Sequence, residues 1–172
     1  MLVPENMELR KVNLDDHSWL LDLHNDPFVL RNLTNPLPIT EHDHLKWWVK
    51  IITNEEQNRL IFTVDGQRVG FTKFYDFDFI NQNCVLGADI HKDFRGRGYA
   101  KFMWQLMLRV CFEKRHLHRV SLTTAEYNEI GQRVYRGLGF KEEGRLTQSL
   151  FRDGKYHDQI CMFLLHEDWQ AS

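Results

Sequence analysis

Two arginines and two glycines alternate in one short stretch of the sequence, directly before an apolar helical pattern. The stretch reads Arg95-Gly-Arg-Gly98 within HKDFRGRGYAKFMWQL, residues 91–106. A helix that begins after it exposes unpaired N–H groups, which together with the helix dipole attract anions such as phosphate. Because Gly96 and Gly98 have no Cβ, a phosphate could approach the backbone closely. The spacing matches neither the dinucleotide fingerprint nor the P-loop, so it indicates another phosphate compound; a glycine turn with solvated arginines is the alternative.

A second group of polar residues lies downstream, in NEIGQRVYRGLGF, residues 128–140. Asn128, Gly131 and Tyr135 recur at helical spacing and therefore share one helix face. The adjacent face is apolar and suits a core: Ile130, Val134 and Leu138. Gly131 costs the helix about 1 kcal/mol relative to alanine, and in exchange it opens a groove for a narrow ligand. The structural alternative is that Asn128 caps the helix and Tyr135 packs.

Hydrophobic periodicity and turn residues predict the strands that position these two groups. The predicted strands are Met7–Val12, Arg59–Val64, Val69–Phe77, Val85–Ile90, Val120–Ala125, Phe140–Arg152 and Tyr156–Leu165. Asp65-Gly66 and Asp153-Gly154 are typical hairpin turns between neighbouring strands.

Helices are predicted after the capping residues Asn13 and Thr40, from Tyr99 to about Val110, and around Ile130–Leu138. The second of these is expected to bury a stripe of Leu45, Trp48 and Ile52, and only one ring of the Trp47–Trp48 pair is expected to join the core, because adjacent helix residues diverge. The segment Asn25–Pro38 contains three prolines and is predicted to be a loop.

The resulting order of elements is β-α-α-β-β-β-α-β-α-β-β. It predicts an α/β (α+β) protein with a mixed, mostly antiparallel central sheet, flanked by about four helices and containing one strand–helix–strand crossover. The 172 residues fit one domain with a sizeable core, residues 1–172.

Composition argues against several classes of function. A formal net charge of −2 argues against general nucleic-acid binding. No apolar run is long enough to span a membrane, and the N-terminal residues lack the layout of a signal peptide. Cys84, Cys111 and Cys161 are few and far apart, which predicts buried free thiols in a reducing, cytoplasmic compartment. The pairs His42-x-His44 and His116-x-His118 lack a third ligand at metal spacing, so surface roles are expected and no metal site.

The two polar groups together resemble the GNAT superfamily of N-acetyltransferases. The acetyl-CoA loop of that superfamily reads Q/R-x-x-G-x-G/A, and residues 95–100, RGRGYA, satisfy it. Its second signature, N-x-x-G/A-x-x-x-Y-x-x-x-G-F, is met by Asn128, Gly131, Tyr135, Gly139 and Phe140. The segment EEGRLTQSLFRDGKYHDQICMFLL is similar to the terminal hairpin of the RimJ/RimL-type branch, and the resemblance covers the whole chain. One departure is Lys92, where the superfamily often has proline, which bears on the rigidity of the loop.

The resemblance implies transfer of an acetyl group from acetyl-CoA to a primary amine by direct attack on the thioester. Backbone N–H groups of residues 95–100 would hold the pyrophosphate, the strand that ends at Ile90 would splay and pair with the pantetheine arm, and Asn128 would hold that arm. The implied cofactor-binding residues are Ile90, His91, Lys92, Arg95, Gly96, Arg97, Gly98, Tyr99, Ala100, Asn128, Gly131 and Tyr135.

The same resemblance assigns some of the catalytic roles. A backbone N–H near Ile90 would stabilise the oxyanion. Tyr135, a phenol with an ordinary pKa of about 10, would be the general acid that protonates the leaving thiolate. The acceptor amine must be neutral, so a base or a water chain must take its proton. Asp89, His91 and Glu126 are local candidates, and the sequence leaves the base open.

The acceptor is the least determined part of the reaction. The segment HNDPFVLRNLTNPLPITEHDHLKWW, residues 24–48, resembles acetyltransferases that act on nucleotide-linked amino sugars. A polyamine such as spermidine, bound by Asp22, Asp26, Glu41 and Asp43, and protein N-termini are the alternatives within the branch. A non-catalytic module that senses acetyl-CoA is the alternative from another class. The oligomeric state also stays open, a homodimer included.

Overall fold

The structure is a computed structural model that describes residues 3–53 and 58–170 of the chain, which form seven strands and six α-helices. The strands are β1 (Met7–Lys11), β2 (Arg59–Val64), β3 (Gln67–Asp78), β4 (Asn83–Ile90), β5 (Arg119–Ala125), β6 (Lys141–Arg152) and β7 (Lys155–Leu165). The helices are α1 (His17–His24), α2 (Pro27–Asn32), α3 (Glu41–Ile52), α4 (Tyr99–Arg109), α5 (Glu129–Gly137) and α6 (His166–Gln170). In the described part of the chain, no helix has the length and apolar character that crossing a bilayer requires.

The strands form one mixed sheet in the order β1-β2-β3-β4-β5-β7-β6. Pairing is antiparallel between β1 and β2, β2 and β3, β5 and β7, and β6 and β7, whereas β4 pairs with β5 in parallel. Strands β4 and β5, the parallel pair, are connected by helix α4 and so form the predicted strand–helix–strand crossover. The predicted mixed, mostly antiparallel α/β fold is therefore confirmed. The sequence predicted about four helices; the two additional ones are α2 and α6.

The chain divides into two compact units. The first comprises Met1–Lys73 and Gly87–Met107, and the second Phe74–Leu86 and Leu108–Ser172. Strands β3 and β4 and helix α4 contribute residues to both. The organisation of residues 1–172 as one domain stays a prediction.

The core of the first unit lies where α1, α2 and α3 pack on the sheet. Its buried members are Leu20, Leu23, Val29, Trp48, Ile61 and Phe71. Next to this core, the fully buried carboxylate of Asp16 accepts hydrogen bonds from Arg10 at 2.7 and 2.8 Å and from Arg68 at 2.6 Å. Asp16 also accepts from the backbone N–H of Asn13, which completes the predicted capping box. This ion-pair network ties the start of α1 to strands β1 and β3.

The second unit contains the long terminal hairpin. Strands β6 and β7 join at Asp153-Gly154, whose φ angles of 51° and 74° are those of a two-residue hairpin turn with left-handed residues. The Sγ atoms of Cys84 and Cys111 lie 3.8 Å apart in the interior, and Cys161 is half-buried. All three cysteines are free thiols, as predicted, although Cys161 is less buried than expected.

The predicted loop Asn25–Pro38 is wrong in its first part, because residues 27–32 form α2. The Oδ1 atom of Asp26 accepts from the backbone N–H groups of Phe28 at 3.1 Å and Val29 at 3.2 Å. Pro27 occupies the first helical position, where its missing N–H costs nothing. Asp-Pro here is therefore a helix start rather than a turn.

The buried faces of two helices also differ from the prediction. In α3, Leu45 and Ile52 are 45% and 36% exposed, whereas Trp48 and His44 are 2% exposed. Burial of Trp48 fixes the rotation of the helix about its axis, so His44, which lies one turn earlier on the same face, is buried as well. The expected surface role of His44 is therefore wrong.

In α5, Ile130 is 60% exposed and Leu138 is buried, so only part of the predicted apolar face packs inward. Gln132 is buried in place of Ile130. Its Nε2 atom donates to the backbone carbonyls of Ala125 at 3.3 Å and Glu126 at 2.8 Å. A polar side chain is favoured at this buried position because it can donate to these carbonyls, which an isoleucine cannot do.

Candidate functional site

The glycine-rich loop has the geometry of an anion cradle. Helix α4 begins at Tyr99, and Gly96 and Gly98 adopt φ angles of 77° and 79°. Side chains rarely tolerate these left-handed conformations. Around the position of a Cβ on either glycine, no atom of the described residues lies within 4 Å. A Cβ here would therefore project into open space at the N-terminus of α4, where a phosphate could otherwise approach.

Arg95 is bound to the protein itself. Its Nε atom donates to the carbonyl of Ile90 at 3.0 Å, and its Nη2 atom donates to Asp26 Oδ1 at 2.6 Å. The guanidinium also lies 4.7 Å from the centre of the Phe28 ring. Although burial opposes it, the hydrogen bond from Arg95 lowers the pKa of Asp26. Arg95 therefore connects the loop to the start of α2, and its charge is largely compensated by Asp26.

A second carboxylate, that of Asp22, holds the residues just before the glycines. Lys92 Nζ donates to both oxygens of Asp22 at 2.8 and 2.9 Å, and His91 Nε2 lies 3.0 Å from Asp22 Oδ2. The His91 ring is 5% exposed and stacks on Trp19. The hydrogen bonds from Lys92 and His91 lower the pKa of Asp22, and the same contact raises the pKa of Lys92. Lys92 thus restrains the loop at a position where relatives often have proline.

We call these contacts of Asp22 and Asp26 with His91, Lys92 and Arg95 the loop clamp. Three of the residues predicted to bind the cofactor, His91, Lys92 and Arg95, therefore bind other residues of the protein through their side chains. The cofactor-binding role of residues 90–92 and 95 stays a prediction, and Arg97 is the exposed arginine of the loop.

The end of β4 lies close to α4 because of a glycine in the neighbouring strand. A Cβ on Gly70 would fall 2.7 Å from the Sδ atom of Met103 and 2.9 Å from the carbonyl oxygen of Asp89. The parallel pairing of β4 with β5 covers Asn83–Val85, whereas β4 continues to Ile90. This short pairing agrees with the splayed strand that the resemblance implies.

A cavity of about 230 Å³ lies within the first unit, beside the end of β4. Its lining comes from α1, α3, the segment after α2 and strands β2, β3 and β4: Leu20, Leu23, His24, Leu33, Ile39, His44, Trp47, Arg59, Phe71, Lys73 and Asp89. Trp47 lines the cavity and Trp48 is buried, so the expectation that only one ring of the pair joins the core is confirmed. Asn25 exchanges two 2.9 Å hydrogen bonds with the backbone of Ile39, which brings that residue to the wall.

The charges in this cavity are partly compensated. Lys73 Nζ lies 2.6 Å from Asp89 Oδ2. Burial lowers the pKa of His24, and the nearby Lys73 lowers it further. Burial, and then the neighbouring histidines, lower the pKa of His44 to about 4. Both imidazoles are therefore neutral near pH 7. Within the described residues, the buried Nδ1 atom of His44 has no hydrogen-bond partner.

The second predicted group lies at the start of α5, in the second unit. Asn128 Oδ1 accepts from the N–H of Gly131 at 3.2 Å, and Nδ2 donates to Thr124 Oγ1 at 3.0 Å. The structural alternative for Asn128, a helix cap, is therefore confirmed. A Cβ on Gly131 would lie 2.6 Å from Asn128 Nδ2, so Gly131 makes room for this cap rather than for an empty groove. Tyr135 is half-buried and meets the ring of Phe140 edge-on, with centroids 6.1 Å apart.

Each local candidate for the general base has a partner. Asp89 is paired with Lys73, and His91 with Asp22. In the second unit, Glu126 Oε1 lies 3.0 Å from His157 Nδ1. None of the three was distinguished from the others by the sequence, and these contacts give each of them a structural role.

Sequence reasoning missed several residues and contacts of the site. Asp26 was named only as a possible polyamine ligand, although Asp before Pro is a strong signal for a helix start. His24 could also have been found, since it follows Leu20 by one helical turn and so shares its face. Lys73 and Asp89 meet across neighbouring strands, and no pattern in the sequence pairs them.

The comparisons with known proteins agree with this geometry. The model of the acetyltransferase (GNAT) domain family matches residues 6–141. The chain therefore belongs to the GNAT acetyltransferase family, and it is an acetyl-CoA-dependent N-acetyltransferase. Acetyl-CoA is the acetyl donor, and the open cradle at Gly96 and Gly98 fits its phosphates.

Individual relatives differ in what they acetylate. The spermidine N(1)-acetyltransferase of Escherichia coli K12 is 22% identical over 166 residues, which are 96% of this chain and 89% of that protein. Bacillus subtilis YdaF is provisionally named a ribosomal N-acetyltransferase. It is 30% identical over 107 residues, which are 62% of this chain and 58% of that protein. The structure of Vibrio cholerae spermidine N-acetyltransferase with CoA and spermine has a TM-score of 0.86 at 22% identity, covering 97% of this chain and 99% of that chain. This likeness confirms the fold.

The loop clamp makes a prediction about stability. Asp26→Asn keeps an oxygen that can cap α2 but removes the charge that Arg95 binds. We expect the free energy of unfolding to fall by about 1.5–3 kcal/mol, since the half-buried guanidinium loses its charged partner. Asp26→Ala also loses the cap and should cost about 1 kcal/mol more. Urea denaturation measures both values, and Asp43→Asn, an exposed carboxylate at the start of α3, is the control. Equal stability of all four proteins would show that the pair does not hold the loop.

Proposed function

We propose that the chain acetylates a primary amino group of a small polyamine such as spermidine. The observation that carries the proposal is the similarity to spermidine N(1)-acetyltransferase over nearly the whole length of both proteins. The comparisons thus favour the polyamine over the nucleotide-linked amino sugar that the sequence analysis placed first.

The cavity beside β4 is the proposed acceptor site. A polyamine alternates cationic nitrogens with short methylene chains, so it suits a cleft that combines apolar walls with a carboxylate. Leu20, Leu23 and Phe71 provide apolar walls, and Asp89 provides the carboxylate. An ammonium group that reaches Asp89 must share it with Lys73, which is 2.6 Å away.

The carboxylates suggested by the sequence for a polyamine do not form this lining. Asp22 and Asp26 belong to the loop clamp, and Asp43 accepts from the hydroxyl of its capping residue Thr40 at 2.8 Å. Spermidine would therefore bind mainly through the cavity walls and Asp89 rather than through an acidic groove.

An amine that carries a phosphate, such as a nucleotide-linked amino sugar, is the second candidate. It is favoured by the cations Arg59 and Lys73 in the cavity lining, because phosphate groups bind well to guanidinium and ammonium groups. Trp47 offers a flat surface for a ring. The charge of Lys73 should weaken binding of a polyamine and strengthen binding of a phosphate-bearing amine.

The roles at the cofactor are part of the same proposal. Backbone N–H groups of residues 95–100 bind the pyrophosphate, Asn128 holds the pantetheine arm, and a backbone N–H near Ile90 stabilises the oxyanion. Bound acetyl-CoA supplies an activated acetyl group as a thioester. Tyr135 gives a proton to the departing sulfur.

Steady-state kinetics test the acceptor. Spermidine, an alanine-starting peptide and a nucleotide-linked amino sugar are compared by kcat/KM, and we expect spermidine to exceed the others by about tenfold or more, about 1.4 kcal/mol. A faster sugar would support the second candidate, and a faster peptide would support protein N-terminal acetylation. Tight binding of acetyl-CoA without acetylation of any amine would support a sensing module.

The variant Lys73→Met distinguishes a polyamine acceptor from a phosphate-bearing acceptor. Removal of a cation from the cavity should lower the KM for spermidine by about three- to tenfold, because one like charge is lost and Asp89 becomes available. It should raise the KM for a phosphate-bearing amine. Lys50→Met, on an exposed position of α3, is the matched control. A higher KM for spermidine in Lys73→Met contradicts the polyamine proposal.

Tyr135→Phe tests the general acid. The change removes only the hydroxyl, so the affinity for acetyl-CoA should stay at the wild-type value while kcat falls by about 10²–10⁴-fold. Calorimetry with acetyl-CoA and kcat with saturating spermidine separate the two effects. Wild-type kcat in this variant, with chemistry shown to limit the rate, would assign the acid to another group.

A further inference from the structure

The proton acceptor for the attacking amine was left open by the sequence, and the cavity contains few groups that can serve. Its titratable lining residues, among those the structure describes, are His24, His44, Arg59, Lys73 and Asp89. Arginine and lysine are cations at neutral pH and have no lone pair to offer. Asp89 is held by Lys73 at 2.6 Å. The choice therefore falls on the two histidines.

A general base must be accessible to the acceptor amine, and His44 is nearly inaccessible. It is 2% exposed, and its Nδ1 atom is shielded from solvent. Its ring is enclosed by the rings of His17, Trp47 and Trp48, with centroid separations of 4.7, 5.0 and 6.4 Å. An amine in the cavity cannot reach the buried Nδ1 atom, and a pKa lowered to about 4 makes the imidazole of His44 a weak base. His44 is a wall of the cavity.

His24 has a ring nitrogen with a lone pair and is also accessible. It is the last residue of α1, is half-buried and lines the cavity. We infer that His24 is the general base that takes the proton of the acceptor nitrogen during acetyl transfer. It stands close to the Lys73–Asp89 pair, and Asp89 directly precedes Ile90 at the end of β4. The inference rests on the proposed function in one respect, namely that this cavity receives the acceptor.

The charges and the burial around His24 favour its neutral form, which can accept a proton. Burial lowers its pKa, Lys73 lowers it further and Asp89 raises it, so the neutral form predominates at pH 7. The other charged or titratable groups that face the cavity are Arg59 and His44. A general base works best when its pKa lies near or somewhat below the working pH, because it is then unprotonated but still basic.

The proton balance of the reaction follows. The acceptor ammonium first loses one proton to solvent and becomes the free amine. As the C–N bond forms, the nitrogen becomes positive and gives its second proton to His24. The C–S bond then breaks, and the electron pair leaves with the sulfur, which takes a proton from Tyr135. His24 returns its proton to the tyrosinate through solvent. The sum is one amide, one thiol and one proton released.

The test is the pH dependence of kcat in His24→Gln, with acetyl-CoA and spermidine both saturating. Wild-type kcat should fall on acidification through the pKa of His24, below its ordinary value of about 6.5. His24→Gln should lose this inflection and about 10²–10⁴-fold in kcat, while calorimetry shows unchanged affinity for acetyl-CoA. His42→Gln, an exposed histidine of α3, should behave as the wild type.

Two further measurements separate a base from a merely structural histidine. Added imidazole should restore part of kcat in His24→Ala but not in His42→Ala. The pKa of His24 from NMR should equal the kinetic inflection, and both should rise in Lys73→Met. The inference is overturned if His24→Gln keeps the acid inflection, if its kcat stays within about threefold of the wild type, or if imidazole does not rescue His24→Ala.

Leu33→Trp distinguishes failure of this inference from failure of the proposed acceptor site. Leu33 lines the cavity, so a larger side chain should raise the KM for spermidine without changing the affinity for acetyl-CoA. An unchanged KM would show that the acceptor binds elsewhere and would overturn both the site and the base. A raised KM together with a wild-type pH profile in His24→Gln would overturn the base alone.

Discussion

Two carboxylates at the corner between α1 and α2 hold the glycine-rich loop of the first unit in place. Asp22 and Asp26 bind the side chains of His91, Lys92 and Arg95 through hydrogen bonds of 2.6 to 3.0 Å. The loop is therefore held at these three positions, while the side chain of Arg97 is exposed. Such pre-organisation matters because an anion then binds without the cost of ordering the loop. The same corner carries His24, so one structural element shapes both the cofactor cradle and the acceptor cavity.

The proposed acceptor cavity combines features that a hydrophobic or an acidic cleft alone would not provide. Apolar walls stand beside the Lys73–Asp89 pair, which sets the local field at the end of β4. A cation beside the acceptor disfavours the ammonium form of a substrate amine and the imidazolium form of His24 together. Both effects promote the chemistry, since the nucleophile and the base must be neutral. The cost is weaker attraction for a polycation, which explains why the charge of Lys73 distinguishes the candidate acceptors.

Much of the fold could be predicted because local signals were strong. The two Asp-Gly turns, the capping residue Thr40 and the long apolar stripe of α4 each specified one structure. The errors arose where tertiary contacts decide. Trp48 sets which face of α3 is buried, and the carbonyls at the end of β5 require the amide of Gln132. The glycine loop was found from residue types, but the contacts of Arg95 and Lys92 with α1 and α2 join residues about 70 apart, which no spacing rule relates.

The proposed binding of acetyl-CoA requires that the left-handed glycines at the start of α4 leave room for its phosphates. Isothermal calorimetry with Gly98→Val tests this requirement, because the added side chain would project into the open space at this position. Gly154→Val is the matched control, since its φ of 74° imposes similar backbone strain in the β6–β7 turn. We expect affinity for acetyl-CoA to be at least about tenfold weaker in Gly98→Val, about 1.4 kcal/mol, and unchanged in the control. Wild-type affinity in a folded Gly98→Val protein would show that the phosphates bind elsewhere.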